Sequence, residues 1–321
     1  MSKCLPILDQ MPPEILEKIF GYTDTLDKLR LRQCCKYFKQ VVNNSEIVLK
    51  KLMFYRKKYS KNRANVTVKI TDRHHINKTF NDETPENAME ALKFVEKVLK
   101  SHPKIRVGHL SLSALFKTHE LEEHSEHRTI VKEEVSRIFS GLRCKLPVKT
   151  LIMESMQDEQ VLMSVLPHLV PGTLRRLFLA NSNIETIDLP RTVETEQWKQ
   201  AKVLDVDYLS IDVEETDHFE YMEYKVDRLE MDDVKRIVEN ILRDNGWKGR
   251  SIYSKKYDFD VIKQYLLQFD HIKEETNIQS IMMNDDDVFK MTIRRDGYEC
   301  KIELNFFRDH LTFERIEDSV S

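Results

Sequence analysis

The sequence predicts an α/β fold in which a small group of N-terminal helices precedes an irregular strand/helix solenoid that ends in a β-hairpin. Three short segments carry apolar residues at their first, fourth and sixth positions, and stretches with helical spacing separate them. Near the C-terminus, two alternating apolar stretches flank Asp296-Gly297, a dipeptide favoured in tight hairpin turns. Strand–helix units stacked side by side give a parallel sheet with helices along one face. The three segments are Val148, Leu151, Met153; Leu174, Leu177, Leu179; and Ala201, Leu204, Val206.

The spacing of these segments is that of a leucine-rich repeat. Their fourth positions, Leu151, Leu177 and Leu204, are 26 and 27 residues apart, within the roughly 20 to 29 residues of one such repeat. Residues 173–189 approach the consensus L-x-x-L-x-L-x-x-N-x-L, with Ser182 in place of asparagine. The alternative is an ordinary α/β domain in which the similar spacings are accidental. A plausible earlier copy is formed by Val107, Leu110 and Leu112.

Residues 11–42 predict three short helices. Pro12 and Pro13 fit a first helical turn, where the missing N–H of proline leaves no bond unmade. Chains below roughly 40 residues rarely hold a core without a disulfide, a metal or a partner, so we expect a partner to cover part of this apolar surface. The apolar positions are Ile15, Leu16, Ile19 and Phe20, then Leu26, Leu29 and Leu31, then Cys35, Phe38, Val41 and Val42.

These helices resemble the F-box. Two positions depart from its pattern, because Thr23 stands where a leucine commonly closes the first helix and Lys28 replaces one of a leucine pair. The resemblance implies an F-box over residues 1–44 that docks on the Skp-type adaptor of an SCF, or cullin-RING, ubiquitin ligase. The matching residues are Met11-Pro12, Glu14-Ile15-Leu16, Ile19-Phe20, Leu29, Cys35-Lys36 and Phe38.

The adaptor contact implied by this resemblance consists of a few apolar side chains. Fully burying one of them contributes roughly 1.5 to 3 kcal/mol, so a handful is enough. The alternative is a helical subdomain that packs on the rest of the chain and uses the same residues as ordinary core. The predicted contact residues are Met11, Pro12, Ile15, Ile19, Phe20 and Leu29.

Residues 45–63 predict a basic linker helix. Ser45 can cap it, and aromatic residues are interleaved with its charges. Basic residues among aromatics could bind a phosphate backbone and stack bases, but the rest of the chain offers no second basic patch. A solvated lysine face is therefore preferred, and nucleic acid is not an expected partner. Its apolar positions are Ile47, Val48, Leu52 and Tyr55, and its basic residues are Lys50, Lys51, Arg56, Lys57, Lys58, Lys61 and Arg63.

Beyond the linker, strands and helices alternate as far as Gly141, which is expected just past a helix C-terminus. Pro85 fits the first turn of a helix whose buried face carries Ala88, Ala91, Leu92, Val95 and Leu99. The predicted strands cover 65–71 and 105–112, and the predicted helices cover 85–102, 126–139, 158–168 and 192–199.

The C-terminal part predicts two more helices and then the hairpin, which we expect to cover the last edge of the sheet. Residues 140–310 resemble the FTH domain that follows the F-box in the nematode F-box A proteins. Trp198–Lys202, His218-Phe219 and Asp232-Asp233 carry this resemblance. It implies a substrate-recognition domain over residues 64–321. The helices are marked by Val234, Ile237, Val238 and Ile241, and by Val261, Ile262, Tyr265, Leu266 and Phe269.

Composition and motifs argue against several classes of protein. The formal net charge of −3 favours neither nucleic acid nor an anionic membrane. No run approaches the roughly 18 apolar residues of a membrane span, and no signal peptide opens the chain. Five cysteines form no metal or disulfide framework, so we expect reduced thiols in a cytoplasmic or nuclear protein.

No catalytic or cofactor motif is present. His119 and His124 are five residues apart, whereas the zinc motif H-E-x-x-H needs four. His124 and His127 could pair on one helical face, but no carboxylate or cysteine is marked as a third ligand, so a polar loop is preferred. The phosphate-binding and dinucleotide-binding glycine motifs and the nucleophile elbow are missing. We therefore expect no cofactor and no metal.

The acidic residues between Asp205 and Glu223 form either a solvated face or a docking edge for a basic segment of a partner. Taken with both resemblances, the sequence predicts a non-catalytic substrate receptor of an SCF ubiquitin ligase with an unknown protein substrate. The alternative is an adaptor-binding or scaffolding module without a role in ubiquitin transfer. The acidic residues are Asp205, Asp207, Asp212, Glu214, Glu215, Asp217 and Glu220.

Overall fold

A computed structural model describes most of the chain, which forms two compact units. The first unit contains Met1–Ser155 and Gln160–Leu174, and the second contains Met156–Glu159 and Arg175–Ser321. The described residues are 8–23, 25–60, 63–71, 75–81, 85–112, 125–156, 158–181, 187–207, 209–211, 213–242, 247–256, 258–268, 277–284, 288–295, 298–305 and 310–317. Several predicted features lie outside them, namely Lys61, His119, His124, Ser182, Asp212, Phe269 and Asp296-Gly297.

The first unit begins with the three predicted helices. They are α1 (Pro13–Gly21), α2 (Thr25–Cys34) and α3 (Lys36–Asn44). Pro12 and Pro13 start α1 as expected, and the Cys35 Sγ accepts a hydrogen bond from the Phe38 backbone N–H at 3.4 Å, which caps α3. The helices share a small core made of Leu16, Phe20, Phe38, Val41 and Val42.

The predicted linker helix over residues 45–63 is wrong, because this segment is the strand β1 (Ile47–Ser60). Leu49, Leu52 and Phe54 are buried in the strand and have the relative spacing of first, fourth and sixth positions, whereas Val48 is 46% exposed. Residues three apart lie on one face of a helix as well, so the local spacing alone does not distinguish the two structures. Pairing with neighbouring strands decides in favour of the strand.

The sheet of the first unit has the order β5-β4-β1-β2-β3. The strands β1, β4 and β5 run parallel, and β1, β2 and β3 pair antiparallel. The strands and helices predicted over residues 65–141 are confirmed. They are β2 (Arg63–Thr71), β3 (His75–Asn81), α4 (Pro85–Lys100), β4 (Ile105–Ser111), α5 (Ser125–Ser140) and β5 (Val148–Met156), of which β3 was not predicted.

Gly108 permits a close approach between β1 and β4. A Cβ atom at this position would collide with the carbonyl oxygen of Lys50 on the neighbouring strand. The absence of a side chain is therefore required at this position, because a backbone carbonyl in a sheet cannot move aside cheaply.

Short helical segments connect the next strands. They include α6 (Glu159–Met163), a 3-10 turn at Leu166–His168, α7 (Pro190–Val193) and α8 (Glu196–Gln200). The longer helices predicted over 158–168 and 192–199 are thus each divided into two short pieces.

The second unit contains a sheet in the order β6-β8-β10-β11-β15-β14-β13-β12. The strands β6, β8, β10 and β11 run parallel, and β15 pairs with β11 antiparallel. Two predicted helices are confirmed as α9 (Met231–Leu242) and α10 (Phe259–Gln268). The strands are β6 (Arg176–Asn181), β7 (Ile187–Asp188), β8 (Val203–Asp207), β9 (Leu209–Ser210), β10 (Tyr221–Arg228), β11 (Gly249–Lys256), β12 (Asn277–Asn284), β13 (Val288–Arg295), β14 (Tyr298–Asn305) and β15 (His310–Glu317), with β7 and β9 forming a separate small sheet.

The predicted pattern of buried first, fourth and sixth positions is present in both units. Its nine predicted residues are each at most 1% exposed. Equivalent positions pair across neighbouring strands, as with Leu110 and Leu151 in the first unit and Leu177 and Leu204 in the second. The strands β10 and β11 extend the pattern, although the sequence did not predict them. Met222 is buried in β10, and Arg250 and Ile252 are buried in β11, while Phe219 and Trp247 are buried just before the two strands.

The C-terminal hairpin is confirmed as the antiparallel pair of β13 and β14, in which Arg295 pairs with Tyr298. Its predicted place in the sheet is wrong. The unpredicted strand β15 pairs with the last parallel strand β11, and the hairpin continues the sheet beyond β15. The alternating residues of the hairpin therefore predicted its strands but not their partner.

Candidate functional site

One side of α1 leaves apolar side chains exposed. Ile15 is 43% exposed and Ile19 is 37% exposed, and they are four residues apart on one helical face. Pro12 before them and Tyr22 after them continue the same face and are also exposed. We call Pro12, Ile15, Ile19 and Tyr22 the α1 stripe. Leu16 and Phe20 lie on the other side and are buried, so α1 is apolar on two sides.

Phe20 was predicted to be open for contact with the adaptor, but it is buried. It is 3% exposed, and its ring packs edge-on against Phe38 with 5.5 Å between ring centroids. This arrangement is favourable for two aromatic rings. Phe20 therefore belongs to the core of the three helices and packs on the side of α1 opposite the α1 stripe.

The other predicted contact residues differ in their surroundings. Met11 packs partly buried on the helical core, and its carbonyl oxygen accepts a hydrogen bond from the Tyr37 hydroxyl at 2.6 Å. Leu29 on α2 is partly buried. Tyr22 was not among the predicted contact residues, although it continues the spacing from Ile15 and Ile19.

The end of α3 is fastened to the turn between α4 and β4. The buried His102 donates from Nε2 to the Val42 carbonyl oxygen at 2.7 Å, and its Nδ1 accepts from the Lys104 backbone N–H at 3.0 Å. Lys104 Nζ donates to the Asn44 carbonyl oxygen at 3.1 Å. Burial lowers the pKa of His102, and both hydrogen bonds fit the neutral ring. The helices thus have a fixed attachment within the first unit.

Comparison with known protein families assigns both parts of the chain. A model of the F-box domain matches residues 8–50, and a model of the FTH domain matches residues 130–269. The chain is an F-box protein with a C-terminal FTH domain. F-box domains typically bind the Skp adaptor within cullin-RING ligases, and F-box proteins are generally non-catalytic.

The matched boundaries differ from those predicted. The F-box match includes α1 to α3 and the start of β1, and the FTH match runs from α5 to just past the end of α10, where residues 140–310 had been predicted. No curated protein matches the chain. Among the solved structures, a mutant of Cab2 in complex with phosphopantothenate-cysteine shows 10% identity, covers 100% of this chain and 90% of its own, and has a TM-score of 0.17. A likeness at that score carries no argument.

The acidic run of this F-box protein does not form a single surface. Asp205 and Asp207 lie on β8, Glu214 and Glu215 are exposed on a 3-10 turn, and Asp217 faces the buried Arg250 at 3.7 Å. Burial, followed by the nearby charges of Glu223 and Asp207, raises the pKa of Asp205 to about 6.

Neither a metal centre nor a membrane span emerges from the part of the chain that the structure describes. No group of three or more histidine, cysteine, aspartate or glutamate side chains there could hold a metal ion. The described helices are all too short or too polar to cross a bilayer.

Proposed function

We propose that this F-box protein is the substrate-recognition subunit of an SCF E3 ubiquitin ligase. The observation that carries the proposal is the α1 stripe, which keeps two isoleucines open although the F-box has a core of its own. An apolar stripe on a short helix fits a hydrophobic groove of a partner. The adaptor supplies such a cover, as the F-box match supports.

Within this proposal, the predicted contact residues have two roles. Pro12, Ile15 and Ile19 touch the adaptor directly, together with Tyr22, and Met11 and Leu29 contribute at the margin through their partly exposed surfaces. Phe20 acts indirectly, because it holds α1 against α3.

The remainder of the chain captures the substrate. The parallel strands with buried first, fourth and sixth positions support an irregular leucine-rich-repeat-like solenoid for this purpose. The receptor has no bond-making residue in this account. It raises the effective concentration of the substrate near a ubiquitin-charged enzyme by tethering both in one complex. Such a complex acts in the cytoplasm or the nucleus.

The test is an affinity pulldown with the full-length Ile15→Asp/Ile19→Asp double variant. Both side chains are already partly exposed, so the charges should leave the F-box folded while preventing burial against the adaptor. We expect loss of the Skp-type adaptor and of cullin.

The matched control is Ile130→Asp on α5, where the isoleucine is 39% exposed. This variant should recover both subunits as the wild type does. Equal adaptor recovery from the double variant and from the control would reject the proposed interface. Recovery of the adaptor without cullin by the wild type would instead favour a scaffolding role without ubiquitin transfer.

A further inference from the structure

The sheet of the second unit has a polar face on the side opposite its buried positions. In the parallel register, Phe178, Asp205, Glu223 and Ser251 form one row across β6, β8, β10 and β11. Side chains alternate along a strand, so this row lies away from Leu177, Leu204 and their neighbours in the core. The adjoining row consists of Ala180, Asp207, Lys225 and Tyr253.

This face remains accessible. The side chains of Glu223 and Lys225 are 43% and 36% exposed, and Tyr221 in the row on the other side is 48% exposed. Phe178 and Tyr253 are partly exposed as well. We call Phe178, Asp205, Asp207, Tyr221, Glu223, Lys225 and Tyr253 the β8–β10 face.

The β8–β10 face already holds one primary ammonium group. Lys225 Nζ lies 2.9 Å from Asp207 Oδ1, 4.0 Å from Glu223 Oε1 and 5.9 Å from the centre of the Tyr253 ring. Carboxylates beside an aromatic ring are the surroundings that a lysine or arginine side chain prefers. The geometry of this face is therefore suited to a cation.

Negative charge on the face exceeds the charge of its own lysine. Asp205, Asp207 and Glu223 outnumber Lys225, and Arg176 and Glu314 at the two ends of the neighbouring row offset each other. The side chain of Asp205 is half-buried, and no ion pair or hydrogen bond joins its carboxylate to another described residue. An apolar or anionic partner would leave this carboxylate desolvated or repelled, which is costly.

We propose that the β8–β10 face binds a lysine- or arginine-bearing segment of the protein substrate, an inference that rests on the proposed function. The basic side chains of the segment approach Asp205 and Glu223, and the flanking rings of Phe178, Tyr221 and Tyr253 cover the rest of the segment. The excess of carboxylates selects against acidic segments by like-charge repulsion.

The test uses the full-length protein and fluorescent oligolysine and oligoarginine, with oligoglutamate as the opposite-charge ligand. Fluorescence anisotropy measures binding to the wild type and to the Asp205→Asn/Glu223→Gln double variant. We expect a loss of affinity of roughly five- to tenfold for both basic peptides, since each exposed charge pair contributes up to about 1 kcal/mol. Lys225→Gln removes the internal competitor and should tighten binding. Oligoglutamate should not bind.

A charge-matched control separates this face from nonspecific attraction. Glu230→Gln/Asp232→Asn removes two carboxylates near the start of α9, where the side chains are 60% and 82% exposed. It should bind the basic peptides as the wild type does. An equal loss in both double variants, or no loss in the first, would overturn the proposal. Matching thermal unfolding curves verify that the variants are folded.

Adaptor recovery in the same variants distinguishes the two proposals. If Asp205→Asn/Glu223→Gln keeps the adaptor and still binds oligolysine as the wild type does, the proposed role of the β8–β10 face is rejected and the proposed ligase function is not. If the wild type recovers no adaptor while oligolysine binding depends on Asp205 and Glu223, the β8–β10 face binds basic peptides but the proposed ligase function is rejected.

Discussion

The protonation state of His102 affects the hydrogen bonds that attach the F-box helices to the rest of the first unit. Its ring joins α3 to the turn before β4 through hydrogen bonds at both nitrogens. Protonation would convert Nδ1 from an acceptor to a donor that faces the Lys104 N–H. Burial, with the nearby charges of Arg32 and Lys104, lowers the pKa of His102 below its usual 6.5.

The lowered pKa predicts the direction of a pH effect. A histidine whose folded-state pKa is depressed stabilises the fold at neutral pH, and that contribution is lost as the pH falls below about 6.5, where the unfolded state takes up the proton first. In His102→Gln, the amide nitrogen can still donate to the Val42 carbonyl oxygen, and the side chain does not titrate. We expect its free energy of unfolding, measured in urea, to fall less than that of the wild type between about pH 7 and 5.

The pH effect is read as a difference between the two proteins. His168 and His218 also have lowered pKa values through burial, and they titrate equally in both. Parallel pH profiles would show that His102 does not contribute.

Arg250 shows why one part of the sheet escaped sequence reasoning. It is the second residue of β11 and is paired with Met222, at a level of the sheet where the neighbouring parallel strands carry apolar residues. It is 1% exposed, and Asp217 is its charged neighbour at 3.7 Å. A search for apolar positions passes over an arginine, so β11 was not recognised.

At the scale of elements, regular patterns were predicted and ambiguous ones were not. The helices α4, α5, α9 and α10 have long, clear apolar faces, and their existence was predicted. The strand β1 was predicted as a helix from the spacing of Ile47, Val48, Leu52 and Tyr55, whereas Leu49, Leu52 and Phe54 are buried in the strand. Only pairing with β2 and β4, which is a property of the tertiary fold, separates the two.

The close contact between β1 and β4 gives a prediction at this scale. Gly108→Ala should destabilise the first unit by roughly 1 to 3 kcal/mol, the usual cost of overpacking, because its Cβ meets the Lys50 carbonyl. Thermal or urea unfolding measures the loss.

The matched control is Gly21→Ala at the end of α1. A Cβ atom there has no neighbour within 4 Å, so this substitution should change stability little. The prediction is contradicted if the two alanine variants unfold alike.

Across the whole molecule, the sequence predicted which domains are present but not which side chains of those domains are exposed. Resemblance to the residues and spacing of family motifs predicted the F-box and the FTH domain, both of which are matched. The same spacing could not tell that Phe20 turns inward while Ile15 and Ile19 stay open, because a short helix with apolar residues on two sides has no local signal for which side is covered. That choice depends on how α3 packs against α1.

The most direct test of the central claim is site-specific photo-crosslinking in the assembled complex. A benzoylphenylalanine at position 19 should crosslink to the Skp-type adaptor, because the α1 stripe is the proposed contact. The same group at position 130, where the isoleucine is similarly exposed, should not. The account would be contradicted by a crosslink from position 19 to this chain alone, or by equal adaptor crosslinking from both positions.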